Sequence, residues 1–123
     1  MIVDDHDAFR SAARRLLEIE GFDVVAEGAN GREALEAADR VRPHIVVLDV
    51  GLPDLDGIEV ARRLTATDQA PVVVLTSSRD AADYAPFLST CGARGFIPKG
   101  ELSGTEIARL AELPGTEITR LAA

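Results

Sequence analysis

Ile45-Val46-Val47-Leu48-Asp49 is an aliphatic run that stops on a carboxylate, and Pro53-Asp54-Leu55-Asp56-Gly57 follows it as a turn before the next helical pattern. Three other runs share this form. Met1-Ile2-Val3 reaches Asp4-Asp5, Val72-Val73-Val74-Leu75 reaches Thr76, and Phe96-Ile97-Pro98 reaches Lys99. Val, Ile and Leu without polar alternation suit strands buried on both faces. The carboxyl ends of parallel strands border the ligand crevice of an open α/β sheet, so the polar residues closing these four runs are expected to converge.

Between the runs lie helical patterns. Phe9, Ala12, Ala13, Leu16 and Leu17 form an apolar stripe closed by Gly21, and Ala34, Leu35, Ala38 and Val41 form a second, stopped by Pro43. Asp23 to Ala26 reads as a second strand, and Val60, Ala61 and Leu64 mark a helix for which Asp56 is the expected cap. Five strands alternate with five helices, which predicts a parallel sheet covered on both faces. In the fourth helix Ala81, Tyr84, Ala85, Leu88 and Cys91 share a face that also contains Pro86. An N-cap at Asp83 puts this proline in the first turn, whereas a start near Asp80 implies a kink. Ser103 and Glu106 form a capping-box pattern, and Leu113-Pro114-Gly115 is expected to end the fifth helix. The segment GTEIARLA at 104–111 recurs as GTEITRLA at 115–122; two copies are too few for a solenoid, so 113–123 is expected to be a tail or extra short helix after a domain spanning 1–112.

With 123 residues, 46% hydrophobic, the chain can form one core and has no room for a second domain. A formal charge of -8 argues against direct nucleic-acid or anionic-membrane binding and favours protein partners. No run approaches the roughly 18 residues a membrane helix needs, and a cytoplasmic location is expected. Cys91 is the only cysteine and reads as a small core residue. His6 and His44 lack a second ligand at metal-binding spacing and read as surface or packing residues.

The converging residue types suit phosphoryl transfer. A carboxylate that attacks phosphorus needs its negative charge, and that of the phosphoryl group, neutralised. Asp4, Asp5 and Asp49 offer the hard oxygens Mg²⁺ prefers, and Lys99 offers a compact cation. Lys99 is the only lysine among thirteen basic residues. Thr76 adds a hydroxyl donor on a rigid strand end.

Val3-Asp4-Asp5-His6, Val47 through Gly57, Leu75-Thr76-Ser77 and Gly92-Ala93-Arg94-Gly95-Phe96-Ile97-Pro98-Lys99, in this order and spacing, resemble the receiver domain of two-component response regulators. The Asp-Asp-His opening is most similar to receivers that precede a helix-turn-helix output domain. The resemblance implies a flavodoxin-like (βα)5 doubly wound sheet with strand order 2-1-3-4-5. It also implies that Asp49 accepts a phosphoryl group from a sensor histidine kinase or phosphotransfer protein. Asp5 then binds Mg²⁺ directly, Asp4 acts through water, and the Gly51 carbonyl is a further ligand. Thr76 and Lys99 contact phosphoryl oxygens, and Phe96 occupies the aromatic switch position. Such a domain is a switch that catalyses its own phosphorylation and dephosphorylation, not an enzyme acting on a separate substrate. Its output face, formed by the fourth helix, fifth strand and fifth helix, engages a downstream protein; homodimerisation is left open.

The chain departs from this pattern in two places. Only Met1, Ile2 and Val3 precede the acid pair, which predicts a shortened first strand, and Gly100 stands after Lys99 where the family often has proline. A haloacid-dehalogenase-type phosphatase is disfavoured because position 51 is glycine where that family has a second aspartate. Two further readings stand beside the switch: an interaction module that does not use phosphorylation, and the receiver part of a DNA-binding regulator.

Overall fold

The computed structural model describes residues 1–78 and 85–111. Five parallel strands run in the order β2-β1-β3-β4-β5: β1 (Ile2–Val3), β2 (Glu27–Gly28), β3 (Ile45–Asp49), β4 (Val72–Ser77) and β5 (Gly95–Pro98). The helices are α1 (Asp7–Ile19), α2 (Gly31–Val41), α3 (Gly57–Thr65), α4 (Ala85–Cys91) and α5 (Gly104–Ala111). This is the expected doubly wound, flavodoxin-like architecture.

Successive residues along each strand enter opposite cores, which is why the runs lack polar alternation. Val3, Val46, Leu48, Val73 and Leu75 pack with Ala34, Val60, Ala61, Leu64 and Cys91, so α2, α3 and α4 cover one face. Ile2, Ile45, Val47, Val74 and Ile97 pack with Ala13, Leu17, Ile107 and Ala111, so α1 and α5 cover the other. Cys91 is buried, as expected. His44 is exposed.

The first strand is short, and its length moves the second. Only Ile2↔Glu27 and Val3↔Gly28 pair, so β2 lies at 27–28 instead of the expected 23–26. Just ahead of β2, the Ala26 carbonyl accepts from the Ile2 N–H at 3.2 Å, and Asp23 forms an isolated bridge. Arg10 of α1 reinforces this corner: it donates to the Asp4 carbonyl at 2.6 Å and to Glu27 Oε1 at 3.0 Å. Met1 is fully buried, and its terminal amino group donates to the Ile45 carbonyl at 2.8 Å. Burial lowers the pKa of that group from 8.0 to about 5.

Helix ends follow local chemistry. Asn30 caps α2 through the Glu33 N–H, Asp56 caps α3 through the Ile58 N–H, and Ser103 accepts from the Glu106 N–H at 3.1 Å. Glu20 also accepts from the Gly104 N–H at 2.7 Å, tying the end of α1 to the start of α5. Pro86 is the second residue of α4 as described. The choice between Asp80 and Asp83 as the helix start, and the expectations for Leu113-Pro114-Gly115 and the second repeat copy, lie outside the described residues.

Candidate phosphoryl-transfer site

Strand register assembles the site. Val3 pairs with Leu48, which places Asp4 level with Asp49. Asp49 pairs directly with Thr76, and Ser77 pairs with Pro98, so Lys99 emerges one residue beyond. Four polar residues from four strands therefore line up along one edge because their aliphatic runs are hydrogen-bonded in that register. Asp4, Asp49 and Thr76 are almost completely buried, at 0, 4 and 1% exposure.

Two carboxylates meet one ammonium. Lys99 Nζ lies 2.7 Å from Asp4 Oδ2 and 3.5 Å from Asp49 Oδ2, and it sits 4.7 Å above the Phe9 ring. Its approach to Asp4 Oδ2 is an ion pair without an aligned hydrogen bond. Burial opposes the Lys99 charge, but the Asp4 carboxylate at 2.7 Å and the nearby Asp49 charge outweigh it and raise its pKa. Asp49 is also shifted upward, first by burial and then by repulsion from Asp4; the Gly51 N–H, at 3.2 Å from Asp49 Oδ1, and Lys99 oppose this shift. Asp49 thus remains short of positive charge even with Lys99 beside it.

One ligand atom each from Asp4, Asp5, His6 and Asp49 forms a group whose members all lie within 4.8 Å of one another. Hard carboxylate oxygens in excess over cations fit a divalent ion such as Mg²⁺. Thr76 Oγ1 supports a ligand-bearing site as well: it is buried with no hydrogen-bond partner, which costs about 1–3 kcal/mol unless another group satisfies it.

A crevice of about 780 Å³ opens beside the cluster, lined in part by Asp49, Gly51, Ser77, Phe87 and Lys99. A Cβ at Gly51 would meet nothing within 4 Å, so the approach to Asp49 on that side is open. Phe96 is half-buried against the core beneath α2 and α3 and stands two residues before the strand end that delivers Lys99. Another crevice, of about 460 Å³, lies at the opposite end of the sheet between Arg42, Pro43, Gln69 and Pro71, remote from the acids.

His6 was not expected in the site. Its backbone N–H donates to Asp4 Oδ1 at 2.8 Å, and this local turn brings its Nδ1 to 3.2 Å from both Asp4 Oδ1 and Asp5 Oδ1. Metal-binding spacing gave no signal because the other ligands include adjacent residues and a distant strand. Adjacency to the acid pair was the usable clue. Asp54 also exceeds its expected role as a turn residue: it accepts from the Gly31 and Arg32 N–H groups at 2.7 and 3.0 Å, fastening the loop after Asp49 to the start of α2.

Known proteins resemble this chain in sequence and fold. The family profile of the response regulator receiver domain matches residues 1–110. The positive transcription regulator of virulence factors BvgA from Bordetella pertussis is 40% identical over 101 residues, covering 82% of this chain and 48% of that protein. The transcriptional regulatory protein DegU from Brevibacillus brevis is 32% identical, with 80% of this chain and 42% of that protein covered. A LuxR-family two-component response regulator from Aurantimonas matches in structure with a TM-score of 0.81 and 32% identity, covering 98% of this chain and 91% of that chain. This chain spans about half the length of the curated relatives it matches.

Proposed function

Since this chain belongs to the response regulator receiver domain family, we propose that it accepts a phosphoryl group at Asp49 and uses the modification to switch a protein-binding face. The observation that carries this reading is the placement of Asp49 in register with Thr76 and beside Asp4, with Lys99 contacting both carboxylates. An Asp49 carboxylate oxygen attacks phosphorus as the bond to the donor, a phosphohistidine nitrogen of a sensor kinase or phosphotransfer protein, breaks. The imidazole leaves, and the product is an acyl phosphate.

Asp5 and Asp49, the Gly51 carbonyl and, through water, Asp4 would hold Mg²⁺. When bound, Mg²⁺ supplies positive charge that offsets the approach of two anions. Lys99 supplies a second cation from the β5 end. Thr76 donates its hydroxyl to a phosphoryl oxygen, satisfying an oxygen otherwise without a partner. The open side at Gly51 admits water for hydrolysis, which resets Asp49.

The switch face is formed by α4, β5 and α5, with Phe96 as its aromatic element. Phe87 on α4 is 47% exposed and borders the Asp49 crevice, which supports a connection between site and face. Residues 1–112 form the receiver unit in this reading, with 113–123 appended. Similarity to transcription regulators favours a DNA-binding output protein or domain as the element controlled. Among the described residues, no helix is long and apolar enough to cross a membrane.

Intact-mass spectrometry after incubation with Mg²⁺ and acetyl phosphate tests the assignment. One base-labile phosphoryl adduct is expected on the parent chain and none on Asp49→Ala. A folded parent that acquires no adduct would favour a phosphorylation-independent interaction module.

A further inference from the structure

We propose that residues 115–122 can take the place of α5 on the sheet, so that the chain carries two interchangeable occupants for one helix site. The α5 sequence GTEIARLA, at 104–111, recurs at 115–122 as GTEITRLA. The proposal does not depend on phosphorylation of Asp49.

The repeat falls on the residues that dock α5. Gly104, Ile107, Ala108 and Ala111 are buried, and Leu110 packs beside them against a core containing Ile2, Val47, Val74 and Ile97. Gly115, Ile118, Leu121 and Ala122 repeat four of these five positions, and Thr119 stands for Ala108. Shared amphipathic spacing does not account for the glycine. A Cβ at position 104 would lie 2.2 Å from Glu20 Oε2 and 2.9 Å from Phe22 Cε2. Phe22 is itself buried, and Glu20 Oε2 accepts the Gly104 N–H at 2.7 Å. The site therefore demands a residue without a side chain three places before its isoleucine, and the second copy supplies one. Leu110 closes on the backbone of β5, where a Cβ at Gly95 would lie 2.7 Å from its Cδ2, and Leu121 holds the same offset in the repeat. The Glu106–Arg109 ion pair, at 2.7 Å, has its sequence counterpart in Glu117 and Arg120.

Local differences rank the two copies. Ser103 accepts the Glu106 N–H at 3.1 Å, whereas the residue before Gly115 is Pro114, which has no side-chain oxygen to cap a helix. Thr119 would put a β-branched side chain where Ala108 is only 6% exposed. The connection from β5 would run from residue 99 to 114 instead of 99 to 103, and its closure cost grows only slowly with length. The first copy is thus the stable occupant and the second a minor alternative. Lys99 lies upstream of both copies, so the exchange leaves the cation of the acidic site at the end of β5. Release of 104–111 need not expose the core beneath α5.

The test is urea unfolding of the full chain for the parent, Ile107→Asp, Ile118→Asp and the double variant, with hydrogen exchange of peptides covering both segments. Ile118→Asp should change the unfolding constant by less than about twofold, since the first copy holds the site in the parent. Ile107→Asp should raise it by no more than about a hundredfold, because the second copy replaces the first, and amide protection should move from 104–111 to 115–122. The double variant should unfold at least about tenfold more readily than Ile107→Asp. Adding Gly115→Ala to Ile107→Asp should also forfeit the rescue, although alanine is the better helix former, because its Cβ would meet Glu20 and Phe22. Equal unfolding constants for Ile107→Asp and the double variant, whether both fold or neither does, would overturn the exchange. Absence of protection at 115–122 in Ile107→Asp would overturn it too. A rescue that weakens on dilution would place the second copy on a neighbouring molecule and overturn exchange within one chain.

Discussion

In a polypeptide that begins at Met1, raising the pH from 5 to 8 should add a stabilising contribution from one buried amino group. The terminal amine of Met1 donates to the Ile45 carbonyl and has its pKa lowered by burial from 8.0 to about 5. In the unfolded chain the amine keeps its proton up to about pH 8; in the folded chain it releases it near pH 5. Between those values the unfolded state binds more protons, so unfolding free energy rises with pH. The penalty is complete below about pH 5 and gone above about pH 8. A difference of about three units corresponds to an upper figure of ~4 kcal/mol, with a slope of up to ~1.4 kcal/mol per pH unit. Urea unfolding across this pH window measures the contribution. Met1 is the sole methionine, so ¹⁵N-methionine labelling also reports its amine directly by NMR. A flat stability profile across this window, or a Met1 titration near pH 8, would refute the reasoning.

Lys99→Met should destabilise the apo protein near neutral pH by about 3 kcal/mol, because it leaves the buried Asp4 and Asp49 carboxylates without their ammonium partner. The variant should also gain more thermal stability from added Mg²⁺ than the parent, as measured by calorimetry. Gly57→Ala places a Cβ 2.5 Å from the Asp49 carbonyl oxygen and 2.6 Å from Val50 Cα, and these backbone atoms can move only by shifting the loop that carries Gly51. A cost of about 1–3 kcal/mol in urea unfolding, together with slower phosphoryl labelling, is expected. Ser103→Ala removes the oxygen that accepts the Glu106 N–H and should cost about 1 kcal/mol, with the earliest amide-exchange loss at the start of α5.

Residues whose roles depend on their own strand were readable from sequence; those whose roles depend on distant elements were not. Val46, Leu48, Val73 and Leu75 enter one core while Val47 and Val74 enter the other, so uninterrupted aliphatic runs carried enough information to indicate a two-sided sheet. The same runs placed Asp49 and Thr76 at adjoining strand ends. The second strand was harder because residues 23–28 contain several strand-compatible positions, and the choice belongs to the short partner strand: only Ile2 and Val3 pair with it. Glu20 and Gly104 are 84 positions apart, and Asp54 reaches back 23 positions to Gly31, so neither contact leaves a local pattern. His6 is an intermediate case. It stands beside the acid pair in sequence, yet metal-ligand spacing presumes donors on a regular element, whereas here a turn bends the chain back on Asp4. Sequence therefore exposes a strand-end site most clearly through the runs that deliver it, and least clearly through the loops that shape its last ligands.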